Sequence, residues 1–180
     1  MKIIEIFTVI TGILPYVLLV IGITNGKVKQ SFATWMLWLV LDIIVLCGII
    51  AQDGNSLLFF VFTLGTIVVT AVLVFKRQFS WGRFETFVTA LVAICITVFL
   101  MGGPYIATIA TTAALNIAGI PQLIATYKDP KTASAKAYFL FMTSSLLSVM
   151  GTEAWTVQDK LPQMSSAIYC LIVFLLALRK

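Results

Sequence analysis

Histidine is absent from the 180 residues. Zinc sites and imidazole acid–base chemistry therefore lose their commonest side chain. Charge is scarce as well: Asp, Glu, Lys and Arg make up 11% of the chain, where a soluble domain carries about 25%. Cysteine occurs three times, at Cys47, Cys95 and Cys170. The odd count, the lack of CxxC spacing and the placement of each thiol inside an apolar run exclude a disulfide framework and predict packing residues. No two acidic residues share a buried stretch where one could act as acid and the other as base, so no catalytic residue, metal site or cofactor is expected, and the chain does not read as an enzyme.

What the chain has is apolar length. Hydrophobic residues make up 61% of it, the mean hydropathy is +1.07, and runs of about 20 apolar residues, each able to cross hydrocarbon, recur from end to end. This predicts an all-α, multi-pass integral membrane protein whose main surroundings are the lipid bilayer. The first apolar run begins at Ile3 with no separate basic region and no small-residue cleavage pattern, so it reads as a helix and not as a cleavable signal.

Seven spans are expected, at about 3–24, 31–52, 56–75, 86–101, 104–127, 137–156 and 163–178, joined by short turns that make successive helices antiparallel neighbours. Basic residues set the orientation. With the amino terminus outside, Lys27, Lys29, Lys76, Arg77, Arg83, Lys128, Lys131, Lys136, Arg179 and Lys180 are cytoplasmic, ten of the twelve, leaving Lys2 and Lys160 outside with Asp53 and Asp159. The net charge of +5 is then a topology signal, and no nucleic-acid partner is needed to explain it.

The stretch LNIAGIPQLIATYKDPKTASAK, 115–136, has a fainter copy near the amino terminus. Placing Pro15 on Pro121 lays ITGILPYVLLV over NIAGIPQLIAT and brings Gly12 near Gly119. Beyond a three-residue difference in the turn, Ser31 falls on Ser134, Trp35 on Tyr138, Trp38 on Phe141, Asp42 on Ser145 and Gly48 on Gly151. The organisation expected is a three-helix repeat (1–85), a linker helix (86–103) and a second three-helix repeat (104–180). One intervening helix gives both repeats the same orientation, so they are parallel repeats about an axis near the membrane normal.

These features resemble the PQ-loop superfamily, which includes SWEET-type sugar transporters, cystinosin-like exporters and the similarly built nicotinamide riboside transporters. The residues that carry the resemblance are Pro121-Gln122 with the basic turn and Ser134, the degenerate copy Pro15-Tyr16, and the 3+1+3 layout. The resemblance implies alternating-access transport of a small polar solute such as a sugar, amino acid or vitamin, held at mid-membrane between the repeats. It also implies that Pro15 and Pro121 act as hinges. SWEET-type sugar sites use asparagines on the third helix of each repeat. Here those spans carry Thr63, Thr66 and Thr70, and Ser165, Ser166 and Tyr169, which departs from a sugar site.

Residue by residue, Pro121 removes the partner of the Ile117 carbonyl and Gly119 eases bending beside it, giving either a hinge or a static kink. In lipid the freed carbonyl needs another donor, and Asn116 or a threonine is at hand. Gln122 contacts either solute or a neighbouring helix. Asp42 lies mid-span with no basic residue in any expected span to pair with it, where charge costs about 3 kcal/mol. It is either compensated by a solute or a coupled proton, or is a neutral carboxyl bonded to a Ser or Thr. Trp35 and Trp38 share its helix face, as a bed for a ring, a sugar face or a cation or as interfacial anchors. Phe141 and Ser145 form the matching face of the second repeat, and Asn116 and Tyr169 complete the candidate solute-binding set. Glu153 and Trp155 read as interfacial. A homo-oligomer is compatible with this plan. The alternative function is a non-transporting receptor or partner-binding protein on the same scaffold. A retinal-type pigment is disfavoured because the expected seventh span contains no lysine for a Schiff base.

Overall fold

The computed structural model describes residues 2–28, 30, 32–77 and 82–179. Lys29, Ser31, Lys180 and residues 78–81 lie outside the described residues, as does the side chain of Lys2. All regular structure among the described residues is helical: α1 Lys2–Thr24, α2 Phe32–Ile50, α3 Leu57–Phe75, α4 Arg83–Ala118, α5 Ile120–Lys128, a 3₁₀ turn Pro130–Thr132, α6 Ala135–Gly151 and α7 Val157–Ala177. Four helical stretches are long and apolar enough to cross a membrane, Ile3–Thr24, Leu57–Phe75, Thr86–Lys128 and Val157–Ala177, and Thr34–Ile50 is a shorter apolar helix.

α4 is two helices in one element. Gly103 takes φ 80° and ψ 171°, a conformation a β-carbon disfavours, and Pro104 follows it. In a straight helix Val88 and Ala118 would stand about 45 Å apart at 1.5 Å per residue. Instead both belong to one buried cluster with Leu37 and Leu41, so the two halves lie side by side along α2.

The packing inverts the soluble pattern. Large apolar side chains such as Ile6, Ile10, Leu64, Ile67, Ile168 and Leu175 are exposed, while Thr66, Thr111, Thr126, Ser144, Ser145 and Gln163 are buried. Such a surface suits hydrocarbon, and many interior hydroxyls are satisfied by local bonding. Thr63, Thr112 and Thr126, for example, donate to the carbonyls of Phe59, Thr108 and Gln122, four residues back, at 2.7–2.8 Å. The buried Thr70 hydroxyl and the Gln163 amide, in contrast, have no partner among the described residues.

Small residues set the closest helix approaches. A β-carbon on Gly12 would lie 3.0 Å from Ser144 Oγ, and that hydroxyl donates to the Thr8 carbonyl at 2.9 Å, joining α1 to α6. Another contact joins α2 to the second half of α4, where a β-carbon on Gly48 would lie 2.8 Å from Thr108 Oγ1 and Ala118 packs in the Leu41 cluster. With Pro15 on Pro121 and the three-residue shift beyond the turn, Gly12 corresponds to Ala118 and Ser144 to Leu41, so the Gly12–Ser144 approach and the cluster holding Ala118 and Leu41 use corresponding positions.

Several local expectations are corrected. The stretch VQDKLP, read as a connection, is the first part of α7, and its Asp159 and Lys160 are 5% and 6% exposed. α6 stops at Gly151, so Glu153 and Trp155 belong to a non-helical turn in which Trp155 is exposed. α7 therefore does contain a buried lysine. Lys160 Nζ donates to the Val149 and Thr152 carbonyls at 2.6 Å each, closing the end of α6, and also lies 4.9 Å from the Trp155 ring centre. A lysine at the helix start escapes a hydropathy reading because its head bonds to carbonyls of another helix and its stem packs as hydrocarbon. The chain beyond α5 behaves as the residues suggest: Asp129 Oδ1 accepts from Lys131 N, and Ser134 Oγ caps α6 by accepting from Ala137 N at 3.4 Å.

Candidate functional site

At the centre of the bundle is a cavity of about 100 Å³ bordered by side chains of α1, α2, α3, α4, α6 and α7. Its position follows from local spacing. Trp35, Trp38 and Asp42 lie at i, i+3 and i+7 on α2, and Phe59, Phe62 and Thr66 repeat that spacing on α3, so each trio faces one way. Asp42 is 7% exposed. Its Oδ2 accepts from Thr66 Oγ1 at 3.0 Å, and Tyr16 OH stands 3.5 Å from the same Thr66 oxygen. Thr66 has one proton and also reaches the Phe62 carbonyl at 2.8 Å. When that proton points to Asp42, the tyrosine is the group able to donate to Thr66.

Elsewhere in the lining Asn116 Nδ2 donates to Ser165 Oγ at 2.5 Å and to the Thr112 carbonyl at 2.7 Å. Ser145 Oγ and Ser166 Oγ are 3.1 Å apart. The pairs Asp42–Thr66 and Ser145–Ser166 join α2 to α3 and α6 to α7, and Asp42 and Ser145 correspond in the internal alignment. Among the described residues no lysine or arginine borders the cavity.

Aromatic rings close much of the wall. Tyr16 and Phe141 meet edge to face at 4.9 Å and 82°, Trp35 and Trp38 at 5.3 Å and 79°, and Trp38 and Tyr169 at 6.1 Å and 85°. Trp35 is fixed from behind, its Nε1 donating to Gln30 Oε1 at 2.9 Å.

Of the residues singled out from sequence, Asp42, Trp35, Trp38, Asn116, Phe141 and Tyr169 border the cavity. Ser145 sits one layer behind, bonded to Ser166, which does border it. The hinge candidates stand apart from the lining. Pro15 lies within an unbroken α1, whereas Pro121 opens α5 directly after the interruption at Gly119. Gln122 is buried and donates to Thr126 Oγ1 at 3.1 Å. Asn116 does not rescue the Ile117 carbonyl as its proximity suggested; its amide is spent on Thr112 and Ser165. Tyr169 serves the break instead, its hydroxyl donating to the Gly119 carbonyl at 3.0 Å.

The lining residues that the sequence reading did not pick for the site include Tyr16, Phe59, Phe62, Thr112, Leu115 and Pro162. The α3 pair was open to the face argument used for α2, since Phe59, Phe62 and Thr66 share its spacing. Tyr16 and Pro162 carry no such signal. Among the described residues no three His, Cys, Asp or Glu side chains converge to hold a metal ion.

One end of the bundle is tied shut by α7. Asp159 Oδ1 accepts from the Asn55 backbone N–H at 2.6 Å, and Oδ2 accepts from Thr156 Oγ1 at 2.5 Å. Asn55 Nδ2 donates to Thr152 Oγ1 at 3.3 Å, so the 51–56 turn is joined to the 152–156 turn once directly and once through Asp159 of α7. Compared with protein-family models, with curated proteins and with solved structures, the chain matches none.

Proposed function

We propose that this chain is a membrane carrier that moves a small polar solute by alternating access, built as two parallel three-helix repeats, 1–85 and 104–180, joined by a linker helix, 86–103, on the plan of the PQ-loop superfamily it resembles. The observation that carries the reading is the cavity between helices of both halves, with a lone buried carboxyl in one part of its lining and an amide with hydroxyls in another. The reversal of α4 at Gly103 and the matching α1–α6 and α2–α4 contacts support the repeat layout. In this reading the solute sits between Asp42 and Asn116. The join between Asp159 and Asn55 has to part for one exit, and the break at Gly119 and Pro121 lets the other side move.

Purified protein in liposomes is expected to move at least one solute from a panel of sugars, amino acids, amines and vitamins. Absence of flux for every solute, with and without a pH gradient, overturns the carrier reading. The orientation has its own test. On a cysteine-free background in intact cells, an impermeant maleimide should label a cysteine placed at Asp53 and leave one at Lys131 unlabelled. The reverse pattern overturns the outside amino terminus.

A further inference from the structure

The cavity's charge inventory does not match most metabolites. Among the described residues that border the cavity there is one carboxyl and no lysine or arginine to receive a carboxylate or phosphate, and the chain has no histidine. The carboxyl has a single hydroxyl donor, Thr66. Around it stand the rings of Tyr16, Trp35, Trp38, Phe62, Phe141 and Tyr169, held edge to face so that neighbouring rings turn different aspects toward the space. Indole and phenyl faces carry the negative side of the ring quadrupole and attract ammonium groups, more so away from water. A buried carboxylate without a basic partner needs a countercharge. Both demands are met by one kind of guest.

Building on the carrier reading above, we propose that the solute is a small organic monocation, a protonated amine or a tetraalkylammonium on a compact or single-ring body. Its charge lies by Asp42 and the α2 rings, and any hydroxyl or carbonyl it bears lies by Asn116, Ser165 and Ser166. An amino acid fits poorly, because its carboxylate would meet only an amide and hydroxyls. A neutral sugar leaves Asp42 without a countercharge. Size points the same way: the space, about 100 Å³, is of the order of the roughly 150 Å³ apolar cavity that admits benzene, enough for one ring or a branched ammonium.

The test is equilibrium binding to the intact protein in nanodiscs, read by tryptophan fluorescence and thermal shift. The probes are tetramethylammonium, benzylamine and benzyltrimethylammonium, with neopentyl alcohol and benzyl alcohol as neutral shapes and glycine betaine as the zwitterion. At least one cation is expected to bind about tenfold or more tighter than its neutral or zwitterionic counterpart, and sodium chloride at equal ionic strength should not compete. Asp42→Asn should remove that preference, and Trp38→Leu should weaken the cation and leave benzyl alcohol nearly unchanged. Equal binding of cation and alcohol, tighter binding of betaine, or no binding of any cation overturns the proposal. The comparison of ligands on the unmodified protein stands even if a variant fails to fold. Cation binding without liposome flux removes the carrier reading and leaves the cation site. Flux of a neutral or zwitterionic solute without cation binding does the reverse.

Discussion

The Tyr169 hydroxyl donates to the Gly119 carbonyl at 3.0 Å while its ring lies so close to Gly119 that a β-carbon there would stand 2.4 Å from Tyr169 Cε2. The tyrosine of α7 thus both bonds to the interruption between α4 and α5 and occupies the space that glycine leaves open. Gly119→Ala should therefore destabilise the protein by about 1–3 kcal/mol, the usual cost of overpacking against a ring with no free rotamer. Tyr169→Phe keeps the ring and loses one neutral hydrogen bond, about 1 kcal/mol. Thermal unfolding in detergent should rank the glycine substitution as the worse of the two. A larger loss for Tyr169→Phe would mean the ring yields freely and the bond is what holds the break.

A second tyrosine–glycine contact lies in the other half. A β-carbon on Gly65 would be 2.3 Å from Tyr16 Cδ2, where α1 crosses α3. Gly65→Ala alone should cost about 1–3 kcal/mol. Because the clash is with the Tyr16 ring, the double variant Tyr16→Leu/Gly65→Ala should lose less than the sum of the single changes. Strict additivity in a double-mutant cycle would show that the backbone, and not the ring, takes up the strain.

Asp42 should be costly to stability and needed for function. Its carboxyl is buried and accepts from the Thr66 hydroxyl, and no basic residue borders the cavity among the described residues. Removing a charge from such a site is commonly neutral or stabilising. Asp42→Asn keeps an acceptor for Thr66, so its unfolding temperature should equal or exceed that of the parent, while uptake of the transported solute falls about tenfold or more. A marked loss of thermal stability in Asp42→Asn would reassign the residue to a structural role.

Lys160 and Asp159 tie the start of α7 to two different neighbours. Lys160→Met leaves the Val149 and Thr152 carbonyls without their donor and should cost about 2 kcal/mol or more, since bonds from a charged donor are the stronger kind. Asp159→Ala frees the Asn55 amide, and amide hydrogen exchange over 53–57 should speed up with exchange in α3 unchanged. Equal protection of that turn in parent and variant would show that the turn is held by other contacts.

The outline of this protein was legible because membrane burial is written into composition and into the face of each helix. Trp35, Trp38 and Asp42 border the cavity together because 100° per residue puts i, i+3 and i+7 on one side of any helix, whatever packs against it. The reversal after Met101 was equally legible, since Gly-Gly-Pro is local chemistry. What the sequence left open was the choice of partners between helices. That Asp42 takes Thr66, that Tyr169 serves Gly119 as well as bordering the cavity, and that Lys160 closes α6 all depend on how near two backbones come. That distance is set jointly by residues on both helices, glycine on one and a ring or hydroxyl on the other, and no reading along a single helix contains it.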